Sequence, residues 1–143
     1  MLFRSEMRRA AGRMAEAIDR DAASYEAVLK AFRLPQSTPE EQRAREEAVQ
    51  QATRHAAEVP LEVAEAAAEL YEKLGQLEGV ISPSMLSDLR VARLMAASAA
   101  RGALENVIIN LGSITDASYV AAMKKKTAAV EARVGGSPVG AER

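Results

Sequence analysis

The chain has no cysteine and no tryptophan, and among its 143 residues there are one histidine, two phenylalanines and three tyrosines. Without cysteine there is no disulfide framework, no thiolate zinc site and no thiol nucleophile. A single histidine, His55, leaves no HExxH pair, and GxGxxG, Walker A and GxSxG patterns are also missing. Nucleotide, serine-hydrolase and zinc mechanisms therefore have no residues to run on. Nor is there charge of one sign: 19 Lys and Arg against 20 Asp and Glu give a net charge of -1. No field exists to hold nucleic acid or an anionic membrane. No apolar run nears the ~20 residues of a membrane span and no secretory segment opens the chain, so the expected location is cytoplasmic.

What the chain has is alanine, 30 residues of it, in a sequence 48% hydrophobic. Alanine is the best helix former and lets helix axes approach closely, so the fold class is all-α. The length fits one domain, expected over residues 6–134 with a disordered tail over 135–143. Five prolines punctuate it. Met7, Met14, Ile18, Tyr25, Val28 and Phe32 recur at helical spacing and predict a first helix over Glu6–Leu34, ended by Pro35. Thr38-Pro39-Glu40-Glu41 reads as a capping box opening a second helix to Val59. Pro60 is expected either to kink it or, after a tight break, to begin a new helix. Gly75 to Pro83 is a loop, the next helix runs from near Ser84–Leu86 to Leu111, and Ser113 or Thr115 caps a last one. The whole is expected to be an antiparallel up-and-down bundle.

Polar residues on apolar faces mark the candidate site. With ~100° per residue, Asp21 falls on the expected apolar stripe of the first helix. On the third, Asp88 and Asn106 are 18 residues apart and share one azimuth, with Asn110, Ala92 and Ala99 close to it and Gly102 beside it. Arg90, Arg93, Arg101 and Glu105 gather opposite, so Asp88, Asn106 and Asn110 are read as facing inward. Small residues around polar ones leave a groove where large ones would fill it. Carboxylates there are candidates for proton transfer, while amides donate to and accept from a polar ring. The bland alternative is a hydrogen-bond network that fixes helix register in a non-catalytic interaction module. His55 is read as structural and Lys124-Lys125-Lys126 as a solvated run that could grip an anionic ligand tail.

Two stretches resemble the formiminotransferase-cyclodeaminase C-terminal family. One is Asp21-Ala22-Ala23-Ser24-Tyr25 through Ala31-Phe32-Arg33-Leu34-Pro35, followed by Thr38-Pro39-Glu40-Glu41 and Val59-Pro60-Leu61. The other is Ser87-Asp88-Leu89-Arg90-Val91-Ala92, then Gly102-Ala103, Asn106-Val107-Ile108-Ile109-Asn110-Leu111 and Ile114-Thr115-Asp116. The resemblance implies a helical, usually dimeric folate enzyme, a formimidoyltetrahydrofolate cyclodeaminase or a methenyltetrahydrofolate cyclohydrolase. It implies a reduced folate as substrate, polyglutamylated or not, with no permanently bound cofactor and no metal. Asp21 and Asp88 match the family's acidic positions and become the expected proton-transfer pair. Ser87, Gly102, Asn106 and Asn110 become the expected substrate-binding residues. Ile81-Ser82 stand where the family often has Gly-Asn. A further helix bearing Pro-Gly-Gly-Gly-Ser is expected before Glu6, and Leu2-Phe3-Arg4-Ser5 reads like a translated sequencing adapter, so the chain is expected to be a fragment.

Overall fold

The computed structural model describes residues 2–135 of the chain, so the expected tail lies, except for Gly135, outside the described residues. Four α-helices carry the fold: α1 (Leu2–Phe32), α2 (Pro39–Gly75), α3 (Leu86–Leu111) and α4 (Ala117–Arg133), with a short 3-10 turn at Pro83–Met85 before α3. The described residues form no strand, as an alanine-rich chain with few β-branched residues requires.

Helix α2 is the axle. It packs against α1, α3 and α4, whereas α1 contacts α2 alone. Its start is fixed by the expected capping box: the Glu41 backbone N–H donates to the Thr38 hydroxyl at 3.2 Å and the Thr38 N–H donates to the Glu41 carboxylate at 3.2 Å. Pro39 sits where its missing N–H costs nothing.

Pro60 neither breaks α2 nor starts a new helix, because α2 runs unbroken through it to Gly75. A proline inside a helix removes the donor that would reach the carbonyl four residues back. Here that carbonyl, Ala56 O, accepts instead from Asn110 Nδ2 of α3 at 3.2 Å. The repair comes from another helix, 54 residues away.

The packed face of α1 differs from the expected one. Its buried residues are Ala10, Ala17, Ser24 and Ala31, spaced by sevens, while Ile18, Tyr25 and Phe32 are exposed. Small side chains let α1 lie close on α2, and this rotates the helix by roughly one residue's turn, carrying the larger side chains to the flank. Helix α1 also ends at Phe32, two residues before the expected Leu34, where Arg45 Nε donates to the Phe32 carbonyl at 3.1 Å.

The core lies among α2, α3 and α4, built from Leu61, Leu104, Val107, Met123 and Val130 with alanines between them. Beside it Glu131, only 2% exposed, accepts from Arg101 Nε at 3.0 Å, while its Oε2 is buried without a partner. At the other end α4 is capped by Asp116 and not by Ser113 or Thr115. The Asp116 carboxylate accepts from the Ser118 and Tyr119 backbone N–H groups, both at 3.0 Å. The Thr115 N–H donates to Gln50 Oε1 at 3.0 Å, which holds the loop to α2.

Candidate functional site

Helices α1 and α3 both lie on α2 without touching each other, so a groove is left between them. Its floor is Val59, Pro60 and Val63 of α2, one wall is Met14, Ala17, Ile18 and Asp21 of α1, and the other is Ala103 and Asn106 of α3. The space is about 240 Å³. Alanines in both walls keep it open, and Pro60 contributes a ring with no N–H to satisfy.

Two of the six expected site residues, Asp21 and Asn106, line this groove. Asp21 is exposed at the edge of the α1 seam, one helical turn beyond Ala17 and one before Tyr25. No described residue hydrogen-bonds or pairs with its carboxylate, and the neighbouring Arg20 is held instead by Glu62 of α2. A carboxylate with both oxygens free, set among apolar walls, is available to a ligand.

Asn110 lies one turn along α3 from Asn106 and is half-buried. Its Nδ2 is committed to the backbone, donating to Ala56 O and to Asn106 O at 2.9 Å. Only its carbonyl oxygen is left for another partner. Gly102 is exposed, and a Cβ added there would meet nothing within 4 Å.

Asp88 and Ser87 stand elsewhere. Asp88 shares the Asn106 azimuth, but 18 residues of helix put it about 27 Å away along α3. Both Asp88 and Ser87 are exposed in the first turn of that helix. The inward placement read for Asp88, Asn106 and Asn110 is therefore corrected: Asp88 and Asn106 are exposed, as are Ala99 and Gly102 near them, and only Asn110 is half-buried, whereas Arg93 and Arg101 of the face read as wet are half-buried. Spacing fixes which side chains share an angle about the axis, not which angle meets the neighbouring helix. Asp21 and Asp88 are not brought together by a single copy of the fold.

Other polar groups are structurally engaged. Arg54 pairs with Asp116 at 2.9 Å and lies 4.9 Å from the centre of the Tyr119 ring. The Tyr119 hydroxyl donates to Glu58 at 2.9 Å; burial, and then the Glu58 carboxylate, push its pKa up to about 12. His55 is exposed, 3.8 Å from Glu58, and Lys124, Lys125 and Lys126 are exposed on α4. Among the described residues no group of three or more His, Asp or Glu could hold a metal ion, and no helix is long and apolar enough to cross a membrane.

The sequence reading missed the groove's floor and the role of Ile18. Val59-Pro60 was visible only as a helix irregularity, and Ile18 was assigned to the core. The signal that was available is the Ala10, Ala17, Ser24, Ala31 spacing, which places Asp21 at a seam edge instead of at its centre.

Comparison with known proteins gives one consistent answer. The Formiminotransferase-cyclodeaminase family model matches residues 3–129. The chain is 37% identical over 117 residues to the formimidoyltransferase-cyclodeaminase of Sus scrofa, covering 82% of this chain and 22% of that protein. It is 39% identical over 107 residues to the Mus musculus protein of the same name, covering 75% of this chain and 20% of that one. To the methenyltetrahydrofolate cyclohydrolase of Methylorubrum extorquens it is 29% identical over 115 residues, covering 80% of this chain and 55% of that protein. The chain thus spans about a fifth of the length of the mammalian relatives.

Proposed function

The chain belongs to the formiminotransferase-cyclodeaminase family, and on that premise we propose that the groove over Pro60 binds the one-carbon end of a reduced folate and closes it into a ring with release of ammonia. The observation that carries this reading is the pairing in one groove of a free carboxylate, Asp21, with an amide, Asn106. In cyclodeamination N10 attacks the formimino carbon and a C–N bond forms. A base takes the N10 proton, an acid protonates the former imine nitrogen, and the second C–N bond breaks as ammonia leaves. The product is the 5,10-methenyl cation.

Asp21 has the chemistry of the base, and its charge also favours the cationic product. Asn106 offers a donor and an acceptor to the pterin ring. The second acid–base role, expected of Asp88 with support from Ser87, is left without a group in this groove, since Asp88 stands about 27 Å along α3 from Asn106 in a single chain. Gly102 allows close approach, and Asn110 contributes its carbonyl oxygen. At about 240 Å³ the groove is smaller than the roughly 300–1000 Å³ of a closed small-molecule site. It accommodates one end of a folate and leaves the rest outside.

Hydrolysis of the methenyl ring in the same groove, with water as nucleophile, is the second reading. It is favoured by the alignment with the cyclohydrolase, of which the chain covers 55%. Supplying formimino- and methenyl-tetrahydrofolate separately decides between them: ammonia release from the first supports cyclodeamination, and bleaching of the methenyl chromophore without ammonia supports hydrolysis. Inertness toward both overturns the enzyme reading in favour of an interaction module.

A further inference from the structure

Helix α1 is held differently from the rest of the molecule. The buried side chains of α3 and α4 include Leu89, Leu104, Val107, Leu111, Met123 and Val130, whereas those of α1 are, among the described residues, Ala10, Ala17, Ser24 and Ala31. None of the described residues of α1 belongs to the two buried apolar clusters, and the half-buried Met14 is what it packs against the larger one. Apolar stabilisation scales with the area removed from water, so an alanine contributes a fraction of what a leucine does. The seam that brings α1 close to α2 therefore also holds it weakly.

The polar ties across that seam lie within reach of water. Arg20 pairs with Glu62, their side chains 47% and 55% exposed, and Glu6 lies 3.6 Å from Lys73, which is also held by Glu69. Exposed ion pairs add little and weaken in salt. The firmer attachment is at the other end. There Arg45 donates to the Phe32 carbonyl, its guanidinium lies 5.4 Å from the centre of the Phe32 ring, and residues 33–38, which lead into α2, are exposed. Helix α1 is thus pinned beside its connection and latched along its length by surface charges. Most of a helix's stability comes from the face it packs, so leaving α2 opens its backbone hydrogen bonds to water.

The groove depends on this helix. Ile18 and Asp21 stand on α1, Ala103 and Asn106 on α3, and the two helices do not touch. A molecule seated between them makes the connection from α1 to α3 that the chain itself does not make. It has contacts with both walls when α1 is docked and loses one wall when α1 is away. A ligand with that preference shifts the equilibrium toward the docked form by mass action.

We propose that α1 is a hinged wall: it leaves α2 as a unit while α2, α3 and α4 stay packed, and a ligand filling the groove closes it. Opening carries Asp21 away from Asn106, so the site is assembled only while α1 is docked. That the closing ligand is a reduced folate rests on the reading above; the separate opening of α1 does not.

Native-state hydrogen exchange of the whole chain, followed through low urea concentrations, tests both parts. The amides of α1 are expected to exchange on the order of 100-fold faster than the most protected amides of α2 and α3, through an opening with a shallower urea dependence than global unfolding. Arg20→Ala removes one latch outside the groove lining, and is expected to speed exchange in α1 about 2–5-fold while leaving α3 unchanged. The probe for closure is 5-formyltetrahydrofolate, a reduced folate with no imine to lose, with its binding measured separately by calorimetry. At about 100 times its dissociation constant it is expected to slow exchange in α1 by about 100-fold. Exchange of α1 at the rate and with the urea dependence of α3, or an Arg20→Ala variant that speeds both helices equally, would overturn the hinged wall. Binding of the folate with no change in α1 exchange overturns the closure. No binding of the folate and no turnover of either substrate overturns the folate reading, and leaves the separate opening of α1 standing.

Discussion

Asn110 Nδ2 lies 3.2 Å from the carbonyl oxygen of Ala56, the group that Pro60, four residues further along α2, leaves without its helical donor. One side chain thus joins two facts that look unrelated in sequence, a proline inside a 37-residue helix and an asparagine on an alanine-rich one. It ties α3 to α2 beside the groove, and it satisfies the one carbonyl that the proline would otherwise strand in the helix forming the groove's floor.

That relationship predicts a coupled pair of stability effects. Asn110→Ala strands a buried carbonyl and is expected to cost about 1–3 kcal/mol. Pro60→Ala returns the N–H to Ala56 O, so Asn110→Ala made in that background is expected to cost markedly less. Urea unfolding of both single variants and the double variant measures the coupling; additive losses would show that Asn110 acts elsewhere.

Arg101 and Glu131 make a second prediction. The Glu131 side chain is 3% exposed and that of Arg101 41%, so removing the arginine leaves an almost fully buried carboxylate with no cation. Arg101→Ala is expected to destabilise the fold by about 2–3 kcal/mol. Replacing both residues with apolar ones of similar volume is expected to cost less than Arg101→Ala alone, as measured by thermal or urea unfolding.

The pH dependence has a definite sign at each end. Hydrogen bonds from the Tyr119 N–H and the Ser118 hydroxyl hold Asp116 below its ordinary 3.8, and the Arg133 guanidinium holds Glu72 below 4.5. Depressed carboxylates contribute stability that is complete above their unfolded values, so it is lost as pH falls below about 4.5 and then 3.8. Tyr119 works the other way. Its pKa is raised from 10.0 to about 12, so its contribution is complete below pH 10 and is lost as pH rises toward 12. Tyrosinate absorbance is expected to show one phenol titrating late, a component that disappears in Tyr119→Phe.

Local signals were legible and distant ones were not. The Thr38–Glu41 box acts over four residues, and its pattern is its mechanism. That Asp88 and Asn106 share an azimuth on α3 was also readable, since helical pitch is fixed by the backbone, but which side of α3 packs was not. Two things depended on residues far away in sequence. Whether Pro60 breaks α2 is decided by Asn110, and which side of α1 packs is decided by how closely small alanines let it approach α2, so weighting large side chains put Ile18, Tyr25 and Phe32 in a core they do not enter. The azimuth shared by Asp88 and Asn106 said nothing of their separation along the axis, about 27 Å over 18 residues, which is why a site drawn on one chain does not hold both acids.

The central claim, that the Asp21 groove moves protons on a folate one-carbon unit, is tested most directly by the turnover of Asp21→Asn on formimino-tetrahydrofolate beside its unfolding free energy. The substitution keeps the size of an exposed side chain that has no described protein partner, so stability is expected to change little. Loss of a positioned general base is expected to lower the rate by about 10²–10⁴-fold. A variant that releases ammonia as fast as the unmodified chain would contradict the account.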